Sequence, residues 1–237
     1  MSNLISIVLP VHNEVLNLKN LIEEWDAELK KISAIEFEFV IVEDGSTDGT
    51  KELIIELESK YSIVNLISEK KRGYSKAVLE GIKASNGNYI LCTDSDNQIK
   101  AQSLIENINK LPEKNIFLFG KRTPRNDPFH RIVYSKLFKI LHDILFFSKL
   151  SDPSCPFVLG QKETYSKLPE NLLLKMHEGF WWGFVGVSKK MKIEFIEVEI
   201  LHFKRNQGEA GYKISQLPGI IIRNTIGLLK IKFSKFN

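Results

Sequence analysis

Short apolar segments alternate with longer amphipathic segments through about the first 120 residues of the chain. Five of the short segments are predicted to be strands, at residues 5–9, 37–42, 63–67, 89–93 and 116–119. Apolar residues recur at helical spacing between them, which predicts helices over 15–31, after Ser46 to about Lys60, and over 77–84. Strands that alternate with helices are typical of a largely parallel sheet covered by helices, so we expect an α/β fold.

Two amphipathic segments stand out in the less regular second half of the chain. The first predicts a helix over 133–145, with an apolar face formed by Val133, Leu137, Ile140, Leu141 and Ile144. The second predicts a helix over 219–233 with a wide apolar face and a narrow polar line. Such a helix can lie in a membrane interface or dock on the protein core, and its basic residues favour the membrane. We therefore expect a domain over 1–215 and an amphipathic, basic helix over 216–237.

The composition excludes several classes of protein. The 237 residues are 43% hydrophobic and 26% charged, which is enough apolar material for a substantial core and excludes a disordered chain. Cys92 and Cys155 are far apart and lack metal-ligand spacing, so a reducing compartment is expected. The apolar stretch at 4–9 stops at Pro10 and is too short for a signal peptide, and no apolar run reaches the ~18 residues of a membrane span.

Charge is distributed unevenly along the chain. The net charge is +4, but residues 121–149 carry +5 and residues 204–237 carry +6, so the remainder is acidic. This pattern indicates an anionic partner, either phosphates or a membrane surface, although solvated helices would explain it equally well. Nucleic acid is not expected, because the first half is acidic and carries no stacking motif.

Three polar motifs follow predicted strands, and parallel sheets bind ligands beyond the carboxyl ends of their strands. These motifs are Pro10-Val11-His12-Asn13-Glu14, Glu43-Asp44-Gly45-Ser46-Thr47-Asp48-Gly49-Thr50 and Asp94-Ser95-Asp96-Asn97-Gln98. In the last of these motifs, one residue separates the carboxylates of Asp94 and Asp96, and Gln98 adds a neutral oxygen two residues later. Hard oxygen ligands suit Mg²⁺ or Mn²⁺, although a solvated turn would have the same sequence.

The other two motifs, and a basic loop, suit a nucleotide. Asp44 offers a carboxylate to a ribose or base edge, and Ser46 or Thr47 could cap the following helix. His12 suits a polar contact better than a metal, because no second histidine lies at ligand spacing. Arg72 and its basic neighbours surround Gly73, where backbone amides could meet a diphosphate.

In this order, the motifs resemble the nucleotide-sugar-binding half of family 2 glycosyltransferases, which have the GT-A fold. The matching segments are 7–14, 43–50, 72–77 and 94–98. The resemblance implies a Rossmann-like, mostly parallel central sheet with helices on both faces, and inverting transfer of a sugar from a nucleotide diphosphate. It implies that the donor is bound by Pro10, His12, Glu14, Asp44, Ser46, Arg72, Asp94 and Ser95, and Mg²⁺ or Mn²⁺ by Asp94, Asp96 and Gln98.

The second half resembles the polyprenyl-phosphate branch of that family, to which dolichol-phosphate mannose synthases belong. Segments 120–135, 152–157 and 197–208 carry this resemblance. It implies a lipid-phosphate acceptor at the inner face of a membrane, a cytoplasmic, peripheral enzyme, and a possible membrane-protein partner. The acceptor phosphate is expected at Arg122, Arg131, Ser135 and Arg205, and the catalytic residues are expected to be Asp96, Arg122 and Arg131. A phosphate is already an anionic nucleophile, so it needs positioning and no base. A surface arginine in an i,i+4 pair is a more acceptable interpretation of Arg125 than of Arg122, Arg131 or Arg205.

Some residues depart from the family pattern, and two other functions stay open. The departures are Glu43 for aspartate, Lys71 for asparagine, Ser75 for glycine and Gln161 for arginine. A soluble family 2 enzyme with a hydroxyl acceptor would need a base, for which Glu178 is the candidate. The adjacent Trp181 and Trp182 would stack on a sugar or lipid, or belong to the core. A silent nucleotide-sugar-binding subunit is the third alternative, against which the intact acidic motifs argue.

Overall fold

The computed structural model describes residues 3–33, 35–176, 178–205 and 214–235, except for the side chains of Asn3, His130, Arg131 and Ile214. Within these ranges the strands are β1 (Asn3–Val11), β2 (Ile35–Asp44), β3 (Ile63–Ser68), β4 (Tyr89–Cys92), β5 (Ile116–Arg122), β6 (Val158–Gln161) and β7 (Glu194–Ile200). They form one sheet in the order β3-β2-β1-β4-β6-β5-β7. Only β6 runs antiparallel to its neighbours among the described strands. The predicted α/β fold with a mostly parallel sheet is therefore confirmed.

Helices connect and cover the strands. They are α1 (Val15–Leu29), α2 (Thr50–Glu58), α3 (Tyr74–Ala84), α4 (Gln102–Ile105), α5 (Phe129–Phe146), α6 (Lys162–Ser166), α7 (Glu170–Leu173), α8 (Phe180–Lys190) and α9 (Leu217–Phe233), with 3₁₀ turns at Ile108–Lys110 and Ile214–Gln216. All five predicted strands and all five predicted helices are present, with their ends moved by a few residues. Strands β6 and β7, helix α8 and the short helices α4, α6 and α7 were not predicted.

The missed elements have weak local signals. Strand β6 has only four residues and lies between β4 and β5 in the middle of the sheet. Helix α8 is buried along residues 180–188, so it needs no polar face and shows no amphipathic period. Its aromatic residues and two glycines also have low helix propensity. Strand β7 alternates glutamate with apolar residues, a period-two signal that the sequence did contain.

The C-terminal helix contributes to the same core as the sheet. Leu228 and Ile231 of α9 belong to the main cluster of buried apolar residues, and α9 packs against α5 and α8. The docked and membrane-facing interpretations of this helix are therefore compatible, because its other side exposes Ile222 and Phe233. Within the described ranges, no helix is both long enough and apolar enough to cross a membrane.

Candidate active site

The loops after β1 and β2 hold each other in place. The backbone N–H of Asn13 donates to Ser46 Oγ at 2.9 Å, and the backbone N–H of Thr47 donates to Asn13 Oδ1 at 2.9 Å. The backbone N–H of Glu14 donates to Thr50 Oγ1 at 3.0 Å. Because these bonds join two loops at one edge of the sheet, they fix Glu14 beside the second motif.

The start of α2 differs from the prediction that Ser46 or Thr47 caps it. The helix begins at Thr50, and Asp48 Oδ1 accepts hydrogen bonds from the backbone N–H and the hydroxyl of Thr50 at 3.1 and 2.5 Å. Ser46 is three residues too early for this role, and its hydroxyl joins the loops instead.

Asp44 organises the loop that precedes α3. Its carboxylate accepts the backbone N–H of Arg72 at 2.7 Å and the backbone N–H of Gly73 at 2.8 Å. Gly45 lets the two loops approach, because a Cβ at this position would lie 2.5 Å from the backbone nitrogen of Lys71. Asp44 is buried and satisfied by these amides, so it shapes the loop as well as lining the cavity described below.

Asp94 is half-buried and belongs to a chain of hydrogen bonds that was not predicted from the sequence. Tyr74 donates its hydroxyl proton to Asp94 Oδ1 at 2.6 Å, and Trp181 Nε1 donates to the Tyr74 hydroxyl at 2.9 Å. Burial raises the pKa of Asp94 to about 7, and the neighbouring Asp96 adds to the rise. The partners lie 20 and 107 residues apart in sequence, so no local motif could show this chain.

Arg205 joins the first and third motifs through its guanidinium. Its Nη2 lies 2.6 Å from Glu14 Oε1, and its Nη1 lies 3.8 Å from Asp96 Oδ2. Burial raises the pKa of Asp96, and the charge of Arg205 opposes that rise. The arginine predicted to bind the acceptor therefore lies beside the acidic motif.

The acidic motif suits a metal ion that is coordinated partly by the protein and partly by a substrate. Among the described residues, no three or more histidine, cysteine or acidic side chains are grouped for metal binding. Asp94 and Asp96 still bring two carboxylates to the cavity. Mg²⁺ is commonly held by one or two carboxylates together with substrate phosphates, and this donor set suits such an ion. A cation would also relieve the repulsion between the two carboxylates.

A second charged cluster lies at the end of β5. Arg122 donates to both carboxylate oxygens of Asp152, at 2.7 and 2.9 Å, and its Nη1 lies 3.3 Å from Asp127. Arg125 donates to Asp127 at 2.6 Å and to Ser135 Oγ at 2.9 Å. Burial disfavours the charged form of Asp152, but the hydrogen bonds with Arg122 outweigh it and hold the pKa at about 2. The structure does not favour the surface alternative for Arg125, because its side chain is mostly buried here.

One cavity of about 730 Å³ brings the two clusters together. Of the residues predicted to bind donor, metal or acceptor, it is lined by Pro10, His12, Glu14, Asp44, Asp94, Ser95, Asp96, Arg122, Ser135 and Arg205. Ser95 Oγ donates to the carbonyl of Pro10 at 2.8 Å, which ties the first loop to the third. The Nδ1 atom of His12 is buried and has no hydrogen-bond partner in the described structure, so a ligand could satisfy it.

Three predicted site residues lie outside this lining, within the part of the chain that the structure describes. Ser46 bonds to Asn13, and Arg72 pairs with Glu80 at 2.6 Å. The side-chain amide of Gln98 donates to the carbonyl of Phe203 at 2.9 Å. Arg131 belongs to α5, and its side chain lies outside the described residues.

The cavity also has an apolar part of its lining, to which residues beyond the predicted site contribute. These side chains are Tyr134 and Phe138 of α5, Phe180, Trp181 and Trp182 of α8, and Leu217, Ile220 and Ile221 of α9. Glu178 also lines the cavity, where it forms an ion pair with Arg223. Asn224 of α9 contributes a buried Oδ1 atom that has no hydrogen-bond partner in the described structure.

Comparison with known proteins agrees with this architecture. The undecaprenyl-phosphate 4-deoxy-4-formamido-L-arabinose transferase of Photorhabdus laumondii is 24% identical over 221 residues, which are 92% of this chain and 65% of that protein. The dolichol-phosphate mannosyltransferase of Pyrococcus furiosus is 31% identical over 137 residues, which are 56% of this chain and 38% of that protein. This chain thus spans about two thirds or less of the length of these relatives.

A solved structure supports the same fold. Glucosyl-3-phosphoglycerate synthase from Mycobacterium tuberculosis, in complex with Mn²⁺, UDP and glucosyl-3-phosphoglycerate, superposes with a TM-score of 0.65 at 17% identity. The match covers 97% of this chain and 80% of that one. Residues 6–169 match the profile of the family described as Glycosyl transferase family 2, and the chain belongs to this family.

Proposed function

We propose that the protein transfers a sugar from a nucleotide-diphosphate sugar to a polyprenyl phosphate at the inner, cytoplasmic face of a membrane. The observation that carries this proposal is the composition of the cavity. Paired carboxylates lie in it together with largely buried arginines, and many of its other lining side chains are apolar. A donor with a metal-bound diphosphate suits the first feature, and a phosphate on an apolar chain suits the other two. A membrane-protein partner is not part of the proposal.

In this proposal the donor binds where the three loops meet. Asp94 and Asp96 would hold Mg²⁺ or Mn²⁺, which would neutralise charge on the diphosphate. His12 Nδ1 bonds to the nucleotide, because that atom is buried on the cavity without a partner. Pro10, Glu14 and Ser95 shape the wall beside them. Asp44 acts by holding the amides of Arg72 and Gly73, so Ser46 and Arg72 support the donor loop from outside the cavity.

The acceptor phosphate binds beside the arginine cluster in this proposal. Guanidinium groups suit phosphate because they donate paired hydrogen bonds in a fixed plane. Arg122, Arg125 and Ser135 line the cavity, and Asp127 and Asp152 hold the two arginines in place. Arg131 and Arg205 complete the set assigned to the acceptor. A phosphate oxygen attacks the anomeric carbon, the bond from that carbon to the diphosphate breaks, and the configuration inverts.

The cavity gives some support to a hydroxyl acceptor as a second candidate. Glu178 lines the same cavity, as a base for a hydroxyl group would have to. However, its carboxylate is held by the guanidinium of Arg223, with Nε 3.1 Å from Oε1. The guanidinium therefore occupies the carboxylate oxygens that a hydroxyl acceptor would have to reach. We therefore place this alternative second.

Nucleotide release measured with and without lipid tests the proposal. Purified protein is incubated with Mn²⁺, a panel of UDP- and GDP-sugars, and either a short-chain polyprenyl phosphate or no lipid. We expect lipid-dependent release that falls at least about a hundredfold in Asp96→Asn, because stabilisation of the diphosphate charge is lost. Glu113→Gln, at an exposed acidic residue, is the matched control and should keep full activity.

Each other outcome has a definite meaning. The hydroxyl acceptor would be favoured if the protein bound the donor but released no nucleotide in response to lipid. Nucleotide release should then depend on a glycan and be lost in Glu178→Gln. Failure to bind any nucleotide sugar would overturn the proposed enzyme and favour a silent subunit.

A further inference from the structure

Two neighbouring helices expose apolar side chains at the same spacing. The exposed residues are Val133, Leu137, Ile140 and Ile144 on α5, and Ile222, Ile226, Leu229 and Phe233 on α9. Each set repeats every three or four positions and forms one line along its helix. Leu137 is 60% exposed and Phe233 is 78% exposed. Lines of large apolar residues left open to water mark a surface that binds something. We call these eight side chains the α5–α9 apolar face.

This face lies on the outside of the helices that wall the cavity. Helices α5, α8 and α9 contact each other in pairs, and α8 is buried along residues 180–188. The exposed lines of α5 and α9 therefore turn away from α8 and toward solvent. Other sides of the same two helices carry Phe138 and Ile220, which line the cavity. The two helices thus separate the proposed acceptor site from the α5–α9 apolar face.

The charges around this face are almost entirely positive. Lys136 and Lys149 are exposed on and just after α5, and Lys230 and Lys235 are exposed on and just after α9. No acidic residue occurs after Glu209 in the sequence. The single acidic residue of α5, Asp143, pairs with Lys139 and accepts a hydrogen bond from Ser148. An apolar surface bordered by lysines is complementary to an anionic, amphiphilic surface.

We propose that the α5–α9 apolar face docks on an anionic lipid bilayer, with its apolar lines at the acyl boundary and the lysines at the level of the phosphates. The inference rests on the proposed function in one respect, since an acceptor anchored in a bilayer must reach a cavity walled by these helices. A second copy of this chain fits less well, because a symmetric interface would bring the same lysines together.

Binding to vesicles that lack polyprenyl phosphate tests the docking separately from catalysis. Full-length protein is sedimented with phosphatidylcholine vesicles, with and without phosphatidylglycerol. The double variant Leu137→Gln/Ile226→Gln removes one apolar side chain from each line. The control, Leu16→Gln/Ile55→Gln, changes two residues of similar exposure on α1 and α2. Circular dichroism establishes that each variant is folded before it is compared.

We expect the wild type to bind the anionic vesicles and the face variant to bind about tenfold or more weakly, because binding scales with the apolar area buried. The control should bind as the wild type does. Lys136→Gln/Lys230→Gln should lose the preference for anionic vesicles and keep the activity on a short-chain acceptor, because both lysines lie outside the cavity lining.

Three results would overturn the docking proposal. They are a wild type that binds no vesicles, a face variant that binds as well as the wild type, and a dimer in light scattering that only the face variant dissociates. The last result would assign the face to a second copy. Transfer to a short-chain polyprenyl phosphate in solution is measured in parallel. Transfer without vesicle binding would overturn the docking but not the proposed transfer to a polyprenyl phosphate. Vesicle binding without transfer would overturn that transfer but not the docking.

Discussion

Two buried aspartates fix the arginines of the proposed acceptor site. Asp152 accepts two hydrogen bonds from Arg122, and both side chains are almost fully buried. Asp127 pairs with both Arg122 and Arg125, so the four side chains carry no net charge. The arginines are therefore held in place before any phosphate binds, which lowers the entropy that binding must overcome.

Asp152→Asn should destabilise the protein by about 3 kcal/mol, because it leaves the buried charge of Arg122 partly uncompensated. Urea unfolding measures this change. Glu56→Gln, which breaks the exposed pair with Lys60, is the control and should cost much less, because solvent screens that pair. Because the folded pKa of Asp152 is about 2 and the ordinary value is 3.8, its contribution is present above pH 3.8 and is lost as the pH falls toward 2. An equal loss in the two variants would contradict this assignment.

Gly45 is fixed by the approach of two loops. Its φ is +71°, and a Cβ would lie 2.5 Å from the backbone nitrogen of Lys71. Gly49 has a φ of +93°, but a Cβ there would come no nearer than 3.8 Å to Val15. A substitution at Gly49 therefore measures the cost of a left-handed backbone alone, whereas a substitution at Gly45 adds the cost of a close approach.

Gly49→Ala should cost about 1–2 kcal/mol for the left-handed conformation alone. Gly45→Ala should cost more, and it should also raise the KM for the donor, because the loop that it displaces is the one held by Asp44. Urea unfolding and donor kinetics measure the two effects. Equal stability and equal KM for the donor in the two variants would contradict this prediction, because the loops could then move apart at Gly45 without cost.

At the scale of elements, α5 is held to α8 by a buried histidine. His142 Nε2 lies 3.0 Å from the carbonyl oxygen of Trp182, and Nδ1 lies 3.3 Å from Ser148 Oγ. Its ring also packs against those of Phe146 and Trp182. Burial lowers the pKa of His142 to about 4, so the folded protein holds the neutral ring.

The folded pKa of His142 lies below its ordinary value of 6.5, so the unfolded chain binds the proton more readily. Its contribution is complete above pH 6.5 and is lost as the pH falls toward 4, by up to about 3 kcal/mol. Urea unfolding of the wild type and of His142→Gln across this range measures it. Burial also lowers the pKa of His202 to about 4. Both proteins contain His202, so its effect cancels when their stabilities are compared. Parallel stability curves for the two proteins would contradict the prediction.

Elements differed in how far the sequence could predict them. Strands β1 and β2 and the Asp94-Ser95-Asp96 motif were visible because their signals are local, in continuous apolar runs or in a spacing of one residue. Helix α8 was missed because burial on all sides removes the amphipathic period. The pairs Tyr74–Asp94 and Arg122–Asp152 were not found in the sequence, because their partners lie 20 and 30 residues apart and meet only after the strands are ordered.

At the scale of the whole molecule, the cavity joins the two halves of the chain. Loops after β1, β2 and β4 form one wall, and β5, α5, α8 and α9 supply the other. A ligand that bridges these walls binds only the folded arrangement and therefore stabilises the entire domain. A donor at a hundred times its dissociation constant contributes about 2.7 kcal/mol. For a chain of this size we expect Tm to rise by about 5–10 °C.

Thermal unfolding with UDP or GDP, in the presence of Mn²⁺ or of a chelator, measures this coupling. We expect the increase in Tm to require both the nucleotide and the metal, because Asp94 and Asp96 repel a diphosphate until a cation lies between them. Asp96→Asn should lose the metal-dependent part, whereas Glu113→Gln should keep it. An increase that persists in the chelator would show that the nucleotide binds through the loops and basic side chains alone. The paired carboxylates would then have to act on another group of the substrate, and the metal would have no part in donor binding.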